Sequence, residues 1–143
     1  AEGKYLVAGL PIALSDIRIP IFVVATERDH VSPWHSVFKI NLLTDSDVTF
    51  TLTSGGHNVG IVSMPSKKTK RYYRVTTLKE KDRYIDAEMW YQKAKQKDGS
   101  WWPTFEKWIT QHSTTQVPPP AIGCKQQGID IIEDAPGSYV LQK

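Results

Sequence analysis

The stretch from Ile19 to Thr53 constrains the fold more than any other part of the chain. Ile19-Pro-Ile-Phe-Val-Val-Ala25 is a nearly continuous apolar run rich in β-branched residues, which suits a strand covered on both faces in a parallel sheet. After the turn-like Glu27-Arg28-Asp29-His30-Val31, Ser32 and Pro33 read as an N-cap followed by proline at the first helical position, where its missing N–H costs nothing. Trp34, Val37, Phe38, Asn41 and Leu42 then fall at i, i+3, i+4, i+7 and i+8, one helix face interrupted only by Asn41. Thr44-Asp-Ser-Asp47 ends that helix. Val48, Phe50 and Leu52 alternate with threonines up to Thr53, the period of a strand with one face more exposed. Strand, helix and strand in this order form a βαβ crossover, which brings both strand C-termini to one edge of a parallel sheet. In open α/β sheets that edge is where ligands bind and chemistry occurs. Two parallel strands with one crossover do not make a self-sufficient sheet. The chain, which opens directly into Lys4-Tyr-Leu-Val-Ala8 and Leu10-Pro-Ile-Ala-Leu14, therefore reads as starting inside a larger protein and lacking its front half.

Two further helices are expected. Asp86 caps one, with Ala87, Trp90, Tyr91 and Ala94 on one face and Gly99 as its close. Ser100 caps the next, where Trp101, Phe105, Trp108, Ile109 and His112 share a face and Pro103 is tolerable in the first turn. Aromatic stripes at this spacing read as core. The basic residues Lys67, Lys68, Lys70, Arg71, Arg74, Lys79, Lys81 and Arg83 gather in one segment, read as a solvated loop face with an anion-binding surface as the alternative. From Thr114 the tail is extended, because Pro118-Pro-Pro120 forbids helix, and Pro136-Gly137 suits a type II turn.

Composition excludes several function classes. With 40% hydrophobic and 23% charged residues in 143, the chain fits one soluble globular domain rather than a disordered or fibrous protein. A net charge of +3 and few aromatics among the basic residues beyond Tyr72 and Tyr73 make nucleic acid a poor partner. No stretch approaches the ~18 apolar residues of a membrane span, and no signal pattern opens the chain, so an intracellular location is the default. The one cysteine, Cys124, cannot form an internal disulfide, in keeping with a reducing compartment.

His57 stands in Ser54-Gly-Gly-His-Asn-Val-Gly60, directly after the second strand. Gly55 and Gly56 permit backbone angles denied to other residues, so this loop can release a histidine over the sheet edge. Asp29, on the loop after the neighbouring strand, can accept a hydrogen bond from the ring Nδ1, which leaves Nε2 as a general base. The bland alternatives are a local turn in Asp29-His-Val31 and a histidine that merely caps a strand. A metal set of Asp29, His30, His35 and His57 is less favoured, since His30 and His35 lie five apart and share no helix face. Aspartate before histidine near the C-terminus is the order of the α/β-hydrolase architecture, whose nucleophile comes earlier on a strand-to-helix elbow. The chain holds no Gly-x-Ser-x-Gly, and Cys124 lies outside any Gly-x-Cys-x-Gly, so it reads as a bystander.

Four motifs carry a resemblance: Asp29-His-Val-Ser-Pro-Trp34; Ser54-Gly-Gly-His-Asn-Val-Gly-Ile61 with Pro65; Gly99-Ser-Trp-Trp-Pro103 with Trp108; and Ala135-Pro-Gly-Ser-Tyr-Val140. With them the sequence resembles the C-terminal part of the poly(3-hydroxyalkanoate) synthases, also called poly-β-hydroxybutyrate polymerases. The Gly-Ser-Trp-Trp-Pro element is the most specific, because generic α/β hydrolases do not share it. The resemblance implies the α/β class and the C-terminal portion of an α/β-hydrolase fold, its last parallel strands and helices, with residues 1–143 part of the catalytic domain and 113–143 an extended tail. It implies an acyltransferase that polymerises (R)-3-hydroxyacyl-CoA and releases CoA through a Cys-Asp-His triad. By motif position Asp29 looks like the triad aspartate and His57 the triad histidine. The cysteine sits in an upstream elbow that this chain lacks, so the piece alone is expected to be inactive. No metal or organic cofactor is implied. The implied partners are the acyl-CoA, the growing polymer, the rest of the synthase chain and a second copy in a homodimer, in the cytoplasm at the polymer granule surface. Lys67 to Arg74, following the His57 loop, could steer the CoA phosphates. Two other readings remain open at this point: an esterase or thioesterase of the same fold, and a non-catalytic module that docks on polymer or partner through exposed aromatics such as Trp101 and Trp102.

Overall fold

The computed structural model describes residues 3–66 and 68–143; Lys67 of the basic segment lies outside them. The chain divides into two compact units, Ala1–His112 and Ser113–Lys143.

The first unit opens with an antiparallel ribbon, β1 (Tyr5–Val7) paired to β2 (Leu10–Ile12). Its centre is a four-stranded mixed sheet in the order β3-β4-β5-β6, with β3 Ile21–Thr26, β4 Val48–Thr53, β5 Tyr72–Leu78 and β6 Gln96–Asp98. The expected crossover is present: β3 and β4 run parallel, from Ile21 opposite Val48 to Thr26 opposite Thr53. Between them lie α1 (Trp34–Phe38) and α2 (Ile40–Leu43), and after β5 come α3 (Ala87–Lys93) and α4 (Trp102–Gln111). This is an α/β arrangement.

One sheet face carries the core. Ala25, Phe50 and Leu52 point toward Trp34 and Phe38 of α1, and toward Trp90 of α3 with Ala94 just beyond it. Trp90 is buried against the rings of Trp34, Phe38 and Phe50 at centroid distances of 6.2, 5.6 and 5.0 Å, and its indole N–H donates to the Thr76 hydroxyl. Trp90→Ala is therefore expected to cost about 3–5 kcal/mol in a chemical denaturation experiment on the intact protein, because the cavity is walled by rings that cannot close over it. The other face is covered by α4, where Phe22 meets the rings of Trp101, Phe105 and Trp108 and the Tyr73 hydroxyl bonds Thr104 at 2.7 Å.

Several expectations change. The threonine face of β4 is not the more exposed one: every residue from Val48 to Thr53 is buried, because α4 packs on the side that alternation assigns to solvent. β3 meets helices on both faces, with Ala25 toward α1 and α3 and Phe22 toward α4. It ends the strand order of the described sheet, however, so Ile21 to Val24 are only half-buried and Ile19, before the strand, is 70% exposed. The basic segment is not simply a loop, since Tyr72–Leu78 forms β5, antiparallel to β4, and β6 pairs in turn with β5. Arg74 folds onto the protein, with Nη1 donating to the Ala94 carbonyl at 2.6 Å and its guanidinium 4.4 Å from the Tyr91 ring centre.

Helix ends also differ. Ser32 does not cap α1; Pro33 occupies the cap position, and the Ser32 N–H is bound elsewhere. The single helix expected over 34–42 breaks at Lys39, where Asn41 turns its side-chain amide onto the Phe38 carbonyl at 2.8 Å and so competes with helical hydrogen bonding. Asp86 caps α3 as expected, accepting from the Met89 N–H at 2.8 Å, but the helix stops at Lys93 and β6 precedes Gly99. At α4 the cap residue is Trp101, and Ser100 reaches the Trp102 N–H from one position earlier.

The second unit holds two short 3-10 turns, Lys125–Gln127 and Ser138–Leu141, and a bridge between Cys124 and Ile129. The turn at Pro136 closes over Asp134–Gly137 with a cis Ala135–Pro136 peptide, which places proline at the third turn position rather than the second position of a type II turn.

Candidate functional site

Parallel pairing does not stop at the strand ends. The Glu27 N–H donates to Thr53 O and the Arg28 N–H to Gly55 O, both at 3.0 Å, so the two loops leave the sheet edge zipped together. Asp29 and His57 are thereby delivered to each other: His57 Nδ1 lies 2.8 Å from Asp29 Oδ2. The other carboxylate oxygen, Oδ1, accepts from the Val31 N–H at 2.9 Å and the Ser32 N–H at 2.8 Å. A carboxylate can only accept, so in the neutral ring the proton sits on Nδ1 and the lone pair on Nε2. The Asp29 side chain is 9% exposed and that of His57 49%, an aspartate held at the base of a reachable imidazole.

The Ser32 N–H, the His57 ring and the Val31 N–H hold the Asp29 carboxyl below the usual carboxylate range, in that order, against a partial desolvation that acts the other way. A depressed folded-state value gives a stabilising contribution that is complete above the ordinary value of about 4 and lost as pH falls through the lower folded one. Unfolding free energies of the wild-type protein should therefore fall between pH 7 and about pH 3 by more than those of Asp29→Asn. Equal falls would show that the carboxylate is not preferentially stabilised in the folded state.

Two glycines shape the His57 loop. Gly55 has φ +112°, and a Cβ there would stand 2.6 Å from Nη1 of Arg71. Gly60 passes so close to the sheet that a Cβ would lie 2.5 Å from Cγ2 of Thr26. Gly56, expected to share the special backbone role with Gly55, would meet nothing nearer than 3.5 Å. Sequence reasoning missed Glu27 and Tyr72. The Tyr72 hydroxyl donates to Glu27 Oε2 at 2.7 Å, which raises the Tyr72 pKa, and Ser54 bonds the Tyr72 backbone on both sides. Together they brace the roots of both loops, and no local sequence signal marks a pair 45 residues apart.

The remaining residues separate. His35 pairs with Glu88 at 2.7 Å and His30 is exposed; among the described residues no group of three or more His, Cys, Asp or Glu is placed to hold a metal ion. Cys124 lies half-buried in the second unit. Arg71 donates to the Ser54 carbonyl at 3.4 Å and Arg74 is engaged as above, leaving Lys68 and Lys70 as the exposed cations nearest this loop in sequence among the described residues. Trp101 is not an exposed aromatic: it is 7% exposed, against 37% for Trp102. Both tryptophans, with Ile61, Val62, Pro65 and Phe105, line an apolar groove of about 500 Å³ that begins four residues past His57. No helix among the described residues is long and apolar enough to cross a membrane.

No family model matches the chain. Curated relatives do. The chain is 36% identical over 140 residues to the poly(3-hydroxyalkanoate) polymerase subunit PhaC of Rhizobium meliloti, covering 98% of this chain and 22% of that protein. It is 34% identical over 142 residues to the subunit of the same name from Rhizobium etli, with 99% and 21% covered. It is 28% identical over 141 residues to that of Cupriavidus necator, with 99% and 23% covered. The chain thus spans about a fifth of the length of the curated relatives it matches. Over almost all of its own length it belongs with the poly(3-hydroxyalkanoate) polymerases, as a C-terminal fragment of one.

Proposed function

We propose that this chain supplies the aspartate and histidine of a Cys-Asp-His triad to a polymerase of (R)-3-hydroxyacyl-CoA, as the last part of an α/β-hydrolase-type catalytic domain, with 113–143 as its tail. The observation that carries the reading is the 2.8 Å contact between His57 Nδ1 and Asp29 Oδ2 on two zipped loops at the C-terminal edge of adjacent parallel strands.

In this scheme His57 Nε2 takes the proton of a cysteine thiol contributed by an upstream elbow. The thiolate attacks the thioester carbonyl, the carbon–sulfur bond to CoA breaks, and the imidazolium returns the proton to the departing CoA sulfur. The same base then takes the proton of a 3-hydroxyl. That oxygen attacks the cysteine-bound acyl group, an ester forms, and the thiol is restored. Asp29 holds the ring in the Nδ1–H tautomer and stabilises the imidazolium while it exists. Exposed Lys68 and Lys70 follow the His57 loop in the sequence, and in this scheme they attract the CoA phosphates. The setting is the cytoplasm at the surface of polymer granules, and neither a metal nor an organic cofactor has a step.

The test is polymer formation by the intact polymerase carrying Asp29→Ala or His57→Ala. Both variants are expected to lose it, and full retention of rate in both would remove the proposal.

A further inference from the structure

The Gly99-Ser-Trp-Trp-Pro103 element has no place in the triad, yet its side chains converge on the loop that carries His57. Trp101 Nε1 donates to the Gly60 carbonyl at 3.3 Å and Trp102 Nε1 to the Ile61 carbonyl at 2.9 Å. The Ser100 hydroxyl donates to the Ser63 carbonyl and accepts from the Trp102 N–H at 3.1 Å. Three consecutive residues thus bind three carbonyls of one loop.

The receiving segment is compact. The N–H groups of Ile61 and Val62 both reach the Asn58 carbonyl, at 3.1 and 2.9 Å, and the Gly60 N–H reaches Gly56 O at 3.0 Å, forming a turn that starts beside His57. The two indoles bind carbonyls at the far end of that turn. On its other side the turn rests on the sheet, with Gly60 against Thr26. The donors themselves are anchored: Trp101 is buried beside Phe22 and Phe105, and Tyr73 holds Thr104 one residue beyond Pro103. A turn gripped between the sheet and the start of α4 leaves its leading residue, His57, little freedom to leave Asp29.

We propose that Ser100, Trp101 and Trp102 are positioning residues that clamp the His57 loop and hold the imidazole in register with Asp29 for acyl transfer. The inference rests on the acid–base role given above to His57. A purely structural role for the two tryptophans would predict the same contacts, so the test must read the histidine itself.

The experiment uses the intact polymerase with Trp102→Phe, which keeps a ring at the groove wall and removes one N–H, and Ser100→Ala as an independent second variant. Each is expected to lower kcat by about 5- to 50-fold with KM within twofold, the signature of lost transition-state alignment rather than lost binding. Carbethoxylation of His57, followed by mass spectrometry of its peptide, should be severalfold faster in both. In a His57→Gln background neither substitution should lower the residual rate further, since the residue they align is gone. Parental kcat and parental His57 modification rates in both variants would overturn the clamp, as would an undiminished loss in the His57→Gln background. If instead His57→Gln alone left the rate intact, the acid–base reading would fall, and the two failures are told apart by that single variant.

Discussion

Replacing His57 by glutamine in the intact polymerase is expected to lower the rate of acyl transfer about 10³- to 10⁴-fold while leaving the fold in place. The side chain is 49% exposed and its ring binds Asp29 at the loop edge, so little packing is lost. Glutamine keeps a polar group of similar reach that can still donate to the aspartate. It cannot accept and carry a proton at the position of Nε2, and the thiol it is meant to activate stays protonated. The loss should fall on kcat, and stability to denaturant should change little.

Asp29→Asn is expected to cost about 10² to 10⁴ in kcat for a different reason. One amide oxygen can still accept from the Val31 and Ser32 N–H groups, which hold Oδ1 at 2.9 and 2.8 Å, so the loop keeps its shape. The group facing His57 then becomes an N–H₂ donor. It binds the imidazole through an unprotonated Nδ1, which pushes the proton to Nε2 and abolishes the base. The negative charge that stabilises the imidazolium disappears as well. Asp29→Asn should therefore damage activity nearly as much as the loss of His57, and the double variant should lose little beyond the worse single one, as expected of two side chains that act as one proton-transfer unit. Additive losses would mean that the two side chains act separately.

What could be read from the sequence follows from which interactions are local. The Asp29–His57 contact was foreseeable because a parallel crossover places consecutive strand ends on one edge, and each residue stands within four positions of its strand end. The capping of α3 by Asp86 was legible for the same reason, since donor and acceptor are three residues apart. β5 escaped because the lysines and arginines around Tyr72–Leu78 masked a pattern of aromatic and β-branched residues. β6 escaped because Gln96-Lys-Asp98 has no apolar periodicity and owes its extended form to β5. The burial of Thr49, Thr51 and Thr53 depends on α4, about fifty residues downstream, which alternation within one strand cannot register. The braces of the site, Glu27 with Tyr72 and Ser100 to Trp102 on the His57 loop, are long-range hydrogen bonds of the same kind.

In the proposed mechanism His57, oriented by Asp29, activates a nucleophile supplied by the rest of the polymerase. Rapid-mixing measurement of the first CoA released from (R)-3-hydroxybutyryl-CoA by the intact enzyme isolates that step from later chain growth. His57→Gln is expected to slow this first release at least about 10³-fold with the protein still folded. A first release at the wild-type rate would contradict it.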